Sequence, residues 1–309
     1  MRSANPLGGS TETGSVRESV DVRESLSPEE FRSEYMNKKP VVMRGALLKL
    51  PATSRWSTGY LRSMAPDLRV RLKTGNMAEG VTTSRTLAEY CDLVDLITAK
   101  SAAGEYHDGP PPYLHDIPLL ALIPQLRDDL EPFPVNFFPK FFRSDWWEFC
   151  QFFVSPPLAV TPFHFDTLQS HNMFFQISGE KRFVMTPAED RPLCYTYNWR
   201  WSRIDPENPD VARYPLFSKA RTLECVVRAG DLFYMPPGTL HQVSSITASV
   251  SFNIDWHDKL SAMRGIMAVS HGMPVRNLQY NAAFAAGVLA RIPYRRVAPI
   301  LKSYFYYIS

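Results

Sequence analysis

The residues best suited to chemistry in this 309-residue chain are His164, Asp166 and His241. His164 and Asp166 lie two apart in a run that reads as β-strand, and side chains at i and i+2 leave a strand on the same face. An imidazole and a carboxylate therefore point into one space. His241 follows Gly230-Asp231-Leu-Phe-Tyr-Met-Pro-Pro-Gly-Thr-Leu at the start of another strand and can bring a second imidazole there. Two histidines and one carboxylate on one face of a metal, with the opposite positions open, form the facial triad typical of non-haem Fe(II) oxygenases. A His-x-Asp pair alone is as readily an ordinary polar contact on a sheet surface. Three neighbours favour the metal: Val160-Thr161-Pro162 before the pair, a lysine one strand and a turn after it, and the segment that ends in His241.

That lysine is Lys181. Asn172, Phe174 and Gln176 alternate with Met173, Phe175 and Ile177, as in a strand with two unlike faces. Ser178-Gly179-Glu180 turns the chain, and Lys181 opens the return strand Lys-Arg-Phe-Val-Met. Most lysines at a strand edge are solvated. One directed inward would hold an anion, since a carboxylate taken out of water needs a cation and further hydrogen bonds. Ser249, Ser251, Asn253 and Asp255 alternate with Val250, Phe252, Ile254 and Trp256, so one face of that strand is polar and looks either to the site or to solvent. His171 reads as a loop residue or an outer neighbour of the site, not as a ligand.

The elements that must position these residues are mostly strands, with helices before and after. Ser27-Pro28-Glu29-Glu30 is a capping box that opens a short helix through Tyr35, and Thr86-Leu87-Ala88-Glu89 is a second, opening a helix through Leu96. Pro40 to Gly45 reads as a strand ended by glycine. Pro110-Pro111-Pro112-Tyr113-Leu114 leads into another, and Pro118 to Pro139 into helix and loop. Trp146 and Trp147 read as core or pocket wall. Ala188 to Ala229 reads as a long insertion, either a carrier of substrate contacts or a cover over one sheet face. Met1 to about Ser25 lacks periodicity and is rich in Ser, Gly, Thr and Arg, so residues 1–26 are expected to be a disordered leader. From Asp258 to Ser309 the pattern is helical and basic, with seven Lys and Arg against Asp258, and it ends in Tyr304-Phe305-Tyr306-Tyr307.

Composition narrows the function classes. Hydrophobic content of 45% and charge of 21% are those of an ordinary globular protein, and the length allows a sizeable core. A net charge of +3 is too small to argue for nucleic acid. Cys91, Cys150, Cys194 and Cys225 are widely spaced, which suggests neither a zinc cluster nor a disulfide framework. There is no apolar signal region and no apolar run of spanning length, so a cytoplasmic setting is expected.

Thr-Pro-x-His-x-Asp, then Asn-x-x-x-Gln-Ile-x-Gly-x-Lys-Arg, then Gly-Asp-x-x-x-x-Pro-x-x-x-x-His, then a strand carrying Asn253, together resemble the Jumonji-C hydroxylases of the cupin superfamily. These are Fe(II)- and 2-oxoglutarate-dependent oxygenases, and the pattern is most similar to the group that includes the asparaginyl hydroxylase acting on hypoxia-inducible factor. The resemblance runs from about Ser27 to Trp256. It implies a mainly β fold with flanking helices around a double-stranded β-helix, the jelly roll of cupins. Residues 27–257 would form the catalytic domain and 258–309 a helical region that dimerises.

The resemblance further implies Fe(II) on His164, Asp166 and His241, with 2-oxoglutarate and O2 as co-substrates. Lys181 and the Thr161 hydroxyl would bind the distal carboxylate of 2-oxoglutarate. Tyr113 matches a family tyrosine that reaches the same group, and Asn172 and Asn253 match residues near the metal and co-substrate. Hydroxylation of an unactivated C–H is expected, on a protein side chain or on an amino-acid-like small molecule. The alternative is a cupin kept as a binding scaffold, against which the intact ligands, Lys181 and Thr161 argue.

Overall fold

The computed structural model describes residues 17–308, and two seven-stranded sheets form its centre. The first runs β1 (Glu18–Ser19), β13 (Leu223–Arg228), β10 (Glu180–Thr186), β15 (Leu240–Ser245), β8 (Val160–His164), β12 (Trp201–Ser202) and β11 (Thr196–Tyr197). The second runs β2 (Asp21–Arg23), β3 (Val41–Met43), β14 (Leu232–Met235), β9 (His171–Ser178), β16 (Ser249–Trp256), β7 (Cys150–Ser155) and β6 (Leu114–Ile117). A two-stranded pair, β4 (Arg69–Lys73) and β5 (Thr82–Thr86), stands beside them. From β7 to β10, and again from β13 to β16, the chain passes between the two sheets. That is the expected jelly roll.

The alternation read in β9 has a physical counterpart. Phe174 packs with Phe153, Phe183 and Phe233 between the sheets, while Met173, Phe175 and Ile177 face the opposite way into a second core under the helices. Phe175 stacks on Phe252 at 4.5 Å, and Phe133 stacks on Trp146 at 3.6 Å. Trp146 belongs to this core and not to a pocket wall.

Both capping boxes form, at Ser27 with Glu30 and at Thr86 with Glu89. The helix after Thr86 continues to Ala102, beyond the expected Leu96, and the chain leaves it at Gly104 in a left-handed conformation. Two other expectations need correction. Leu223–Arg228, placed within the insertion, is a full strand of the first sheet. Glu18–Ser19 and Asp21–Arg23, placed in the disordered leader, pair with β13 and β3 respectively. The rest of that leader, residues 1–16, lies outside the described residues.

The C-terminal region is helical as expected, with helices Lys259–Met267, Leu278–Val288 and Tyr294–Ile308. It packs on its own domain: Phe284 lies 5.9 Å from Phe142, Tyr294 lies 5.0 Å from Phe149, and Lys302 pairs with Glu148 at 2.9 Å. Tyr304 is buried, and the Phe305, Tyr306 and Tyr307 side chains lie outside the described residues. Among the described residues, no helix is long and apolar enough to cross a membrane.

Asp231, in the Gly-Asp motif, is fully buried and holds a turn together. It accepts from the backbone N–H of Gly45 at 3.0 Å and of Arg228 at 2.7 Å, and it pairs with Arg44. Gly179 holds the β9–β10 turn at φ +75°, where a Cβ would meet the Ala248 carbonyl oxygen at 2.1 Å. Gly179→Ala should therefore cost more than the roughly 1–2 kcal/mol of a left-handed alanine, because backbone must also move. Urea unfolding measures it; a loss under about 0.5 kcal/mol, the range of an inert surface change, would show that the turn relaxes freely.

Candidate functional site

β8 and β15 pair antiparallel with His164 directly opposite His241, just before a bulge between His241 and Val243. The two rings lie 4.4 Å apart by centroid. The His164 Nδ1–H donates to the Pro162 carbonyl at 2.7 Å, and the His241 Nδ1–H donates to the Thr239 carbonyl at 3.1 Å. Each bond fixes the tautomer that leaves Nε2 bare as a ligand. Burial, and then the charge of His241, pull the His164 pKa well below the ordinary imidazole value, so its lone pair is free at neutral pH.

Asp166 corrects the strand reading. β8 ends at His164, and Asp166 lies in the loop beyond it. It still reaches the same space: its Oδ1 is 3.9 Å from His241 Nε2, and its Oδ2 accepts from Asn172 Nδ2 at 3.2 Å. One ligand atom from each of His164, Asp166 and His241 lies within 4.8 Å of the others. Asp255 adds a carboxyl whose pKa is pushed well above the usual carboxylate range by burial, then by the Asp166 and Asp116 charges. Negative charge crowded in this way, beside two bare imidazole nitrogens, suits a divalent cation.

Lys181 is directed inward and is 1% exposed. Its Nζ donates to the Tyr113 hydroxyl at 2.5 Å and lies 5.6 Å from the Phe153 ring and 5.9 Å from that of Phe174. No carboxylate stands within ion-pair distance of it among the described residues. Burial pulls its pKa down to about 7. Thr161, buried on β8, is 3.2 Å from His115 Nε2. Asn253 donates to Asp255 at 2.9 Å, while the Oδ1 atoms of Asn253 and Asn172 are buried without a partner. A buried amine with no anion and amide oxygens with no donor describe a place shaped for something else.

Tyr113, Thr161, His164, Asp166, Asn172, Lys181, His241 and Asn253 all line one cavity of about 780 Å³ between the sheets. His171 is not among them. It is buried on β9, bonded to the Tyr234 hydroxyl at 2.8 Å and stacked on Trp256 at 4.0 Å. The cavity also contains residues that the sequence reading did not assign to the site, notably His115, Arg200, Asp255 and Tyr304. A two-residue step from Tyr113 would have found His115. The same step from Asn253 reaches Asp255, on the polar face already noted, while Arg200 and Tyr304 follow no such period.

Two wound sheets with a His–Asp–His cluster lining the cavity define a jelly-roll protein of cupin architecture. The chain belongs to the Cupin-like domain family, which matches residues 28–262. It is similar to the tRNA wybutosine-synthesizing protein 5 of Homo sapiens, 27% identical over 248 residues, which are 75% of this chain and 76% of that protein. It is also similar to the human bifunctional peptidase and (3S)-lysyl hydroxylase JMJD7, 27% identical over 262 residues, 74% of this chain and 80% of that one. Lysine-specific demethylase 8 of Danio rerio is 29% identical over 237 residues, 74% of this chain and 56% of its own length. The narrower likeness to the hydroxylase of hypoxia-inducible factor is not carried by these relatives.

The cluster predicts its own metal test. After equilibrium dialysis against Mn(II) or Co(II), the intact chain should hold one ion. Asp166→Ala or His241→Ala should weaken binding by more than the roughly 10–100-fold that loss of an outer hydrogen-bond partner costs. Unchanged occupancy in both variants would remove the assignment.

Proposed function

We propose that this chain is an Fe(II)- and 2-oxoglutarate-dependent dioxygenase that hydroxylates an unactivated C–H of a protein side chain or of an amino-acid-like small molecule. The observation that carries this reading is Lys181, a buried amine facing the His–Asp–His cavity, bonded to the Tyr113 hydroxyl and with no carboxylate partner among the described residues. When bound, iron with 2-oxoglutarate and O2 supplies the oxidising power that places one oxygen atom in a C–H bond.

The chain's own residues supply position and dryness. Pro162 and Thr239 carbonyls hold the two imidazoles with Nε2 forward, and Asn172 orients the Asp166 carboxylate. Lys181, Tyr113 and Thr161 hold the distal carboxylate of the co-substrate, and Asn253 lines the same cavity. Phe153, Phe174 and Trp201 keep water from the lining, which strengthens each of these contacts. Relatives are named for tRNA modification, lysyl hydroxylation and lysine demethylation, so the substrate class has to be read from this pocket.

Lys181→Ala would leave a desolvated carboxylate without its cation, a loss of roughly 3–5 kcal/mol, or at least about a hundredfold in 2-oxoglutarate affinity. Lys181→Arg should recover part of it, since the charge returns on a larger, planar group. The pH dependence has a definite sign. An amine with a pKa of about 7 is mostly neutral at roughly pH 8, and an arriving carboxylate favours its charged form. Binding of 2-oxoglutarate should then take up a proton and weaken as pH rises, which calorimetry in buffers of different ionisation enthalpy reads directly. Binding by Lys181→Ala within about threefold of the parent chain would place the carboxylate elsewhere.

The C-terminal region fits a homodimer. Leu260, Met263, Ile266 and Met267 are exposed on the helix Lys259–Met267, three or four residues apart and therefore on neighbouring rows of one side. Sedimentation should show a dimer for the intact chain and a monomer for Met263→Glu combined with Ile266→Glu. A monomeric intact chain at micromolar concentration would remove this interface.

A further inference from the structure

Among the described residues, neither Lys181 nor Arg200, two of the cations that line the cavity, has a carboxylate within ion-pair distance. Lys73 differs from both, since it pairs with Asp116 at 2.9 Å. Arg200 is half-buried, with its guanidinium 4.5 Å over the ring of Trp201, and among the described residues no acidic side chain comes within ion-pair distance. Its charge acts on Asp255 and Tyr304 within the same space.

The backbone holds this arginine to the metal-binding strand with unusual care. Trp201 pairs with His164 across β12 and β8, and their rings lie 5.0 Å apart. The Arg200 carbonyl accepts from the Phe165 N–H at 3.1 Å, between the two ligands of the β8 end. Immediately before it, Asn198 and Trp199 adopt φ of 45° and 74°. A bulky residue in the left-handed region is uncommon, and such strain collects where a fold must aim a functional group. The Trp199 indole N–H donates to the Thr167 carbonyl at 2.9 Å and fixes the turn to the loop that carries Asp166.

A half-desolvated guanidinium with a flat aromatic support and no counter-ion among the described residues is built for an oxyanion from outside. We propose that Arg200 binds an anionic group of the primary substrate, a carboxylate or a phosphate, and so sets which carbon faces the His–Asp–His cluster. The inference rests on the oxygenase reading only in taking Lys181 as occupied by the co-substrate.

Titration calorimetry on the full chain with Mn(II) and saturating 2-oxoglutarate tests it. One arm uses the twenty L-amino acids and their carboxamides; the other uses the four nucleoside 5′-monophosphates and their nucleosides. At least one anion should bind at about 10 mM or below, with its uncharged counterpart roughly tenfold weaker or more. Arg200→Gln should lose the same factor, and Arg200→Lys should recover part of it. The arm that responds identifies the anion as carboxylate or phosphate. Equal binding of charged and uncharged partners, an unaffected Arg200→Gln, or silence in both arms overturns the proposal. The comparison of charged and uncharged probes uses the unaltered chain, so it stands even if the variant does not fold. Failure to bind 2-oxoglutarate in the same titration would count against the oxygenase reading, while Arg200-dependent anion binding with Mn(II) alone would still uphold this one.

Discussion

The antiparallel pairing of Leu240–Ser245 with Val160–His164 is the contact on which the site depends. It sets His241 opposite His164, and a slip of one residue by either strand would turn that strand's imidazole to the other face and part the pair. The register is not left to the strands alone. Carbonyls two residues before each histidine hold its ring, and the bulge after His241 adjusts the strand just where it leaves the site. Hydrogen bonding along one ladder thus becomes geometry around a prospective metal.

Charge is arranged around that geometry with economy. Burial, and then the Asp166 and Asp116 charges, push the Asp255 carboxyl up, while Lys181 is held so deeply that its amine is pulled down. Both are costs of burying an ionisable group. Each falls when the opposite charge arrives, which couples binding of a cation and of an anion to the stability of the same barrel.

The sequence was most legible where chemistry and periodicity coincided. Lys181 followed from the Gly179 turn and the two-faced run before it; the capping boxes at Ser27 and Thr86 began their helices where their side chains said they would. Asp166 was placed correctly in space for a partly wrong reason, because the strand stops at His164 and the loop carries the carboxylate on. Leu223–Arg228 was taken as insertion since it follows a long irregular stretch and its polar residues, Glu224 and Arg228, disguise a strand that pairs on both edges. Arg200 could not be found in this way. Its position comes from left-handed backbone at Asn198 and Trp199 and from contacts with residues more than thirty positions earlier, none of which leaves a local pattern.

The short segment Glu18–Arg23 touches both sheets at once, Glu18–Ser19 along β13 and Asp21–Arg23 along β3, with Val20 buried between them. It works as a clasp, covering one open edge of each sheet in a single pass. A recombinant fragment begun at residue 28, where the family match begins, would lack it. Two rows of backbone N–H and C=O groups would then face solvent side by side, and unpaired strand edges of that kind recruit one another between molecules. The practical boundary of this domain therefore lies ahead of its recognisable one.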